Sequence, residues 1–597
     1  MYTIKSGNIM ALIGDNGFIE GNTCGLYFMD TRIIGKMVPR LSLKFNLLSL
    51  GEYRTNSVFF WFISKSPDSL HDMDLILKLR YSIDKDKFTV KSEFFNYSKK
   101  EICIFENFVI DYTFNDIFEI RSGKFEDKKN KITKNQKESV KYESQHLQIE
   151  TKIHGSISNK VNLKPHILNS VKFSITPSVH FKIQTKGTML FDNIVNSNVN
   201  LNMPHFKGKI MRLVKKSTED LEMLLLDTKY GKFPAAGLPW FATIFGRDSL
   251  IFTLQTMDMF PEISYNILKV LAMTQSNFVD DQKDALPGKI IHEIRVGEDA
   301  LSGKVPFSTY YGSIDATPLF LMAIGKYSKL YGKSVFEELK DAVELSARYI
   351  DENIDSRGYL YYKSKSSNGL SNQGWKDSGD SMVFSDGRMA QPPVKLVEVQ
   401  SYLYEAYQTL SQFYDGERSL RYLSKAELLK KNFNEDFWME KEKFFALALD
   451  KDGRRVDSIT SNPGHCLMTG IINDERSKFI VDRLMKPDMF TGFGIRTMSS
   501  RMISYNPISY HNGSVWPHDT SIIMIGMWDK NFKREAKTLG KSLLDVAKYF
   551  EWRLPELFGG NQKKGKNIIP YPVACSPQLW SVGAGFVISK ILKEGSK

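Results

Sequence analysis

Two carboxylate-bearing segments and one arginine–aspartate pair carry most of the chemistry that can be read from the 597 residues. Asn372-Gln-Gly-Trp-Lys-Asp-Ser-Gly-Asp-Ser381 reads as a loop from its asparagine, glycines and serines, and it sets Asp377 and Asp380 just after Trp375. Leu554-Pro-Glu-Leu-Phe-Gly-Gly560 holds Glu556 in a stiff frame, since Pro555 biases Leu554 toward extended backbone and two glycines follow Phe558. An idle carboxylate among apolar side chains is costly. Cleaving a glycosidic bond requires two carboxyl groups, one to protonate the leaving oxygen and one to act as base or nucleophile across the ring. Two bland alternatives stand beside this: an Asp-rich turn that bonds its own backbone, and a Glu556 that caps a helix or pairs with Arg553.

The third segment is Gly237-Leu-Pro-Trp-Phe-Ala-Thr-Ile-Phe-Gly-Arg-Asp-Ser249. A tight turn through Pro239 precedes Trp240 and Phe241, and a helical pattern (Leu250, Phe252, Leu254, Met257) follows Arg247 and Asp248. An aromatic surface beside a fork of donors and acceptors is what a sugar needs, because its C–H faces stack and its hydroxyls demand partners once water leaves. Asp248 and Ser249 also suit helix N-caps. Tyr505 to Thr520 adds a dense run of aromatic and polar groups, with Trp516, His518 and Asp519 the most conspicuous. Tyr310 to Pro318 leads into a helix, with Asp315 or Thr317 a candidate N-cap and Pro318 in the first turn.

The elements that must position these groups differ between the two parts of the chain. Residues 1–200 carry short alternating runs (Ser57 to Ile63, Leu75 to Ile83, Phe88 to Phe95, Ile102 to Tyr112, His146 to Lys152, Ser170 to Ile175, Val179 to Gln184) between turn-rich clusters, the pattern of an antiparallel β-sandwich. From Thr218 onward the period is helical: Leu319 to Tyr331, Val335 to Ile354, Val394 to Tyr414, Leu420 to Trp438 and Lys533 to Phe550 are amphipathic. Residues 201–217 are expected to connect the two, leaving 218–597 as a large all-α domain.

Composition narrows the class. The net charge of +13 invites a nucleic-acid reading, but the lysines are scattered or lie in the mixed-charge run 123–141, expected to be a solvated loop or hairpin tip. No basic helix interleaved with aromatics appears, so nucleic acid is not an expected partner. Cys24, Cys103, Cys466 and Cys575 have neither zinc-site nor disulfide-framework spacing, and the histidines suggest no metal site. No apolar run reaches the ~20 residues of a membrane span, and residues 1–13 do not resemble a signal peptide. A cytoplasmic location is expected, with no membrane partner and no inference about oligomeric state.

In order, these segments resemble the archaeal- and bacterial-type glycogen debranching enzyme family, the amylo-α-1,6-glucosidases. The resemblance is strong from Gly237 to Trp580 and weaker before residue 200, where Gly25-Leu-Tyr-Phe-Met-Asp-Thr-Arg32 carries it; on the residues alone Asp30 to Arg32 reads as a structural turn. Lys289 to Arg295 and Tyr571 to Trp580 also match family signatures, without an assigned chemistry. The resemblance implies an (α/α)6 toroid after the β-sandwich, and an exo-acting inverting glucosidase that releases glucose from α-1,6 branch stubs of glycogen or a branched α-glucan. By the same resemblance Asp377 is the general acid, with Asp380 the alternative, and Glu556 is the general base. Trp240, Arg247, Asp248, Trp375, Asp380, Trp516 and His518 would hold the sugar, with no cofactor and no metal. Lys376 is expected to point away from Asp377. The family's large eukaryotic members add a glucanotransferase barrel whose βα alternation is missing here, so transferase activity is not expected. Rival readings are glucoamylase-like cleavage of α-1,4 ends or of another α-glucoside, and a non-catalytic glucan-binding protein.

Overall fold

The computed structural model describes residues 1–67, 73–135, 139–195, 197–203 and 205–593. They form two compact units. One comprises residues 1–193 together with 222–229 and 295–304; the other holds 194–221, 230–294 and 305–597.

The first unit consists of a six-stranded and an eight-stranded sheet. Side chains of both sheets, among them Ile4, Leu26, Met37 and Phe108 from one and Phe60, Leu79, Phe94 and Phe173 from the other, enclose a single core. Alternation does this directly: Ser57–Ser64 buries every second residue, as does Leu75–Asp84 over most of its length. The runs expected at Ser170 to Ile175 and Val179 to Gln184 are one strand, Leu168–Phe181, which continues through Pro177 opposite Thr151. The run 123–141, expected to be a solvated loop or hairpin tip, is in part regular structure: Ile132–Asn135 pairs antiparallel with Ser139–Glu143, and 136–138 lie outside the described residues. Asp30 is structural, as its local sequence suggested. It accepts hydrogen bonds from Arg295 Nη1 and the Val296 amide, both at 2.8 Å.

The second unit is helical. In chain order its main helices are α1 (Gly208–Leu224), α2 (Gly246–Thr256), α3 (Pro261–Thr274), α4 (Ala316–Tyr331), α5 (Lys340–Glu352) and α6 (Val397–Phe413). They continue with α7 (Gly416–Asp436), α8 (Asn462–His465), α9 (Asp474–Leu484), α10 (Pro517–Asp529), α11 (Lys533–Tyr549) and α12 (Leu579–Lys593). The even-numbered helices pack in a closed cycle: α2 on α4, α4 on α6, α6 on α8, α8 on α10, α10 on α12, and α12 back on α2. Each odd-numbered helix lies against the cycle, α3 on α2, α5 on α4, α7 on α6, α9 on α8 and α11 on both α10 and α12. For α1 the contact is Gly585 of α12, where an added Cβ would meet Ser217.

The expected 201–217 connection is therefore corrected. From Gly208 it is helix, because Leu213, Val214, Ser217 and Leu221 recur at helical spacing and are buried. Among the described residues no helix is long and apolar enough to cross a membrane.

Candidate active site

The N-termini of α2, α4, α10 and α12 and the loops that carry Asp377 and Glu556 supply the candidate residues. Arg247 and Asp248 lie in the first turn of α2, whose N-cap is Phe245, so Asp248 is not the cap that its sequence position allowed. Arg247 is buried, and its Nη1 donates to both oxygens of Asp315 at 3.3 Å and to the carbonyl of Gly374 at 2.9 Å. Nη2 donates to Asp377 Oδ2 at 2.8 Å. One planar guanidinium thus ties α2 to the start of α4 and to the 372–381 loop, a task that suits its rigid fork of donors. Asp315 occupies the N-cap position of α4 without making a side-chain cap bond, and its carboxylate faces Arg247 and Ser313 Oγ (2.6 Å) instead.

Glu556 is held from the other side. Tyr510 donates its hydroxyl to Oε1 at 2.6 Å, and the Cys575 amide donates to Oε2 at 2.8 Å. The Cys575 loop is fixed in turn to the Gly237 turn, because Ser576 donates to the Leu238 carbonyl and Leu238 donates to that of Pro577. Gln578 of the same loop donates to Asp248 Oδ1 at 3.2 Å. Arg553, weighed in sequence as a partner for Glu556, forms an ion pair with Asp220 at 2.6 Å.

Charge links the two sides. Burial pushes Asp248 up to about 7; Arg247 opposes the shift, while the charges of Asp377 and Glu556 add to it. Asp248 is therefore within electrostatic reach of both carboxylates. Burial likewise holds Asp377 above the ordinary carboxylate range against the pull of Arg247. Its side chain remains 25% exposed, so it is reachable from solvent. Burial and then the charge of Glu556 push the Tyr510 phenol far upward, which keeps it a protonated donor. His511 and His518 are held well below their usual range by burial and stay neutral.

The tryptophans differ in burial. Trp375 and Trp516 are 2% and 1% exposed. Trp375 packs against His465 (5.9 Å), Trp516 (5.8 Å) and His518 (4.9 Å), and Trp516 Nε1 donates to the Tyr510 carbonyl. His518 stacks on Trp580 at 3.8 Å. With neighbouring rings against them, these residues form one packed aromatic cluster. Partly exposed aromatic surface is found instead at Trp240, Phe241, Tyr510 and Tyr571. Asp380 is exposed and accepts from Ser378 Oγ at 2.9 Å. Lys376 does turn away from Asp377: its Nζ is buried, donates to the Thr497 carbonyl at 2.6 Å, and is pushed down to about 8 by burial.

Two features escaped the sequence reading. Tyr510 lay inside a quoted segment without being distinguished from its neighbours, and its only signal was the density of aromatic and polar groups around it. In the deeper chain Tyr402–His465–Asp519, with contacts of 2.7 Å on each side of the imidazole, Asp519 alone had been singled out, and Tyr402 and His465 had no local signature.

Arg247 and Tyr510 thus hold Asp377 and Glu556, and Gln578 holds Asp248 between them. In family comparison, residues 212–586 match the model described as amylo-alpha-1,6-glucosidase, and residues 4–180 match that of the N-terminal domain of (some) glycogen debranching enzymes. The chain belongs to the amylo-alpha-1,6-glucosidase family. No curated protein matches it. Similar solved structures include the GH63 mannosylglycerate hydrolase from Thermus thermophilus in complex with Tris (12% identity, TM-score 0.47), with Tris and D-glycerate (13%, 0.48) and with glucose (14%, 0.46). Each covers 63% of this chain and 99% of that one.

Proposed function

We propose that this protein is an exo-acting, inverting α-glucosidase that hydrolyses α-1,6 branch stubs of glycogen-like glucans and releases glucose. The observation that carries the reading is the set of hydrogen bonds that gathers the carboxyls: Arg247, beside Asp248, holds Asp377, while the loop of Cys575 and Gln578 holds both Glu556 and Asp248. Asp377 gives its proton to the glycosidic oxygen as the bond to the anomeric carbon breaks. Glu556 takes a proton from a water molecule whose oxygen bonds to that carbon from the opposite face. The elevated proton affinity of Asp377 suits the acid, and the donors on Glu556 suit an ionised base. Arg247, Asp248 and Trp240 grip the terminal glucose, with Asp380 near the entrance and Trp375, Trp516 and His518 supporting the floor. The closed cycle of even-numbered helices, each backed by an odd-numbered one, supports an (α/α)6 toroid as the catalytic fold.

The deciding experiment is glucose release from a branched limit dextrin by the parent and by Glu556→Gln, with isomaltose- and maltose-type oligosaccharides alongside. Release from the α-1,6 substrates by the parent alone supports the reading. Preference for maltose-type substrates would replace it with a glucoamylase-like activity, and full activity in Glu556→Gln would remove the assigned base.

A further inference from the structure

The eight-stranded sheet presents an ordered aromatic face on the side away from its core. In three adjacent strands, Ser57–Ser64, Leu75–Asp84 and Lys87–Asn96, the inward set includes Val58, Phe60, Leu77, Leu79, Val90 and Phe94. The alternate residues point outward. Their register aligns them in rows across the strands: Ile63–Ile76–Phe95, then Trp61–Lys78–Glu93, then Phe59–Arg80–Lys91. Phe59, Trp61 and Phe95 are each partly exposed, and Leu168, paired with Phe95 on the next strand, is 51% exposed.

The rings form one assembly. Phe59 and Trp61 meet edge to face at 5.6 Å, and Trp61 and Phe95 lie 6.2 Å apart. The Lys78 ammonium sits 4.5 Å over Phe59 and 5.5 Å over Trp61. It also lies 3.5 Å from Glu93, which Lys91 approaches to 2.7 Å. On the neighbouring edge strand, Asn46–Tyr53, the residue beneath Phe59 is Gly51, where any Cβ would fall 1.8 Å from the ring. The sequence thus leaves out a side chain so that the ring can lie flat against the backbone.

This arrangement places partly exposed ring surface next to a row of charged groups that pair with one another and show only their edges to water, the side chains of Lys78 and Glu93 being 20% and 12% exposed. A pyranose has the same division, with C–H faces that stack and hydroxyls that need hydrogen-bond partners. A polyanion fits less well, because Glu93 stands in the central row and already engages two lysines. A second copy of the chain fits less well too, since two of the three rows are charged and the cores of protein interfaces are depleted in charge.

We propose that this face is a second carbohydrate site that takes a neutral α-glucan chain and uses none of the acid–base residues; the choice of glucan rests on the function proposed above. A polymer held there keeps its many chain ends at high local concentration.

The test is native electrophoresis of the full-length chain through gels containing glycogen, at low and high salt, together with glucose release from a short α-1,6-linked oligosaccharide. The parent is expected to be retarded equally at both salts. Trp61→Ala with Phe95→Ala should weaken that retention by about tenfold while release from the short substrate is unchanged. Trp61→Tyr should retain most of the binding, and the milder Lys78→Gln, which keeps all three rings, should weaken it by roughly threefold. Undiminished retention in the double variant would overturn the proposal, as would retention that vanishes at high salt. So would a concentration-dependent dimer of the parent that the double variant abolishes, or an equal loss on the short substrate in both Trp61→Tyr and Lys78→Gln. If the parent is retarded and the double variant is not, yet neither releases glucose from any substrate, the second site stands and the proposed activity falls.

Discussion

The phenol of Tyr510 donates a 2.6 Å hydrogen bond to Oε1 of Glu556 while the other oxygen of that carboxylate receives the Cys575 amide. Both donors favour the ionised carboxylate, the form a base must have. Tyr510→Phe is therefore expected to move the acidic limb of the kcat/KM profile to higher pH and to lower kcat about tenfold. A pH–rate profile identical to that of the parent would remove Tyr510 from the machinery.

The two assigned carboxyls differ in what their loss should do. Asp377→Asn and Glu556→Gln should each reduce kcat by about 10²–10⁴-fold with little change in KM. Inversion further requires carboxyl groups about 6.5–9.5 Å apart and β-glucose as the first product. Proton NMR of the early product reads the anomer directly, and α-glucose would reverse the stereochemical assignment.

Asp248 provides a pH signature in stability. Its proton affinity is raised to about 7 in the fold from an ordinary 3.8, so the folded state binds the proton more tightly than the unfolded one. The resulting stabilisation is complete below pH ~4 and is lost as pH rises through ~7. Asp248→Asn should accordingly gain stability relative to the parent as pH climbs across that window, then hold a constant difference above it. Urea midpoints at stepped pH measure this, and a difference independent of pH would contradict it.

Arg247 braces three segments, and its removal leaves Asp315 and Asp377 buried or half-buried without their cation. Arg247→Ala is expected to cost about 3–5 kcal/mol of stability and to raise KM. Arg247→Lys keeps the charge but loses the fork, so it should recover part of the stability and little of the affinity. Denaturant melts paired with steady-state kinetics separate the two effects.

Much of this was legible in the chain, for reasons particular residues make plain. Strict alternation at Ser57–Ser64 and amphipathic spacing at Lys533–Tyr549 announced their elements because each has one wet face. By contrast α10 and α12 are buried almost all round, which erases the 3.6-residue contrast that reveals a helix. Asp377, Glu556 and Arg247 were singled out because their segments resemble a family's; on the residues alone an Asp-rich turn, a helix cap or an ion pair stayed open. The burial of Trp375 and Trp516 was not legible: an indole beside a carboxylate looks the same in sequence whether its face is open or covered by another ring. Tyr510 and His465 were missed because their partners lie 46 and 54 positions away, beyond any local pattern.

The β-rich unit is not contiguous in the chain. Lys5 donates to the carbonyl of Leu225, and Asp30 waits for Arg295 and the amide of Val296. During synthesis the first 193 residues leave the ribosome long before these partners exist, although domains commonly fold as they emerge. This one stays unfinished, with distant partners of a buried lysine and a buried aspartate still to come, until residue 304 has been translated. A gene fragment ending near position 200 would encode every strand of both sheets and still lack the pieces that close them.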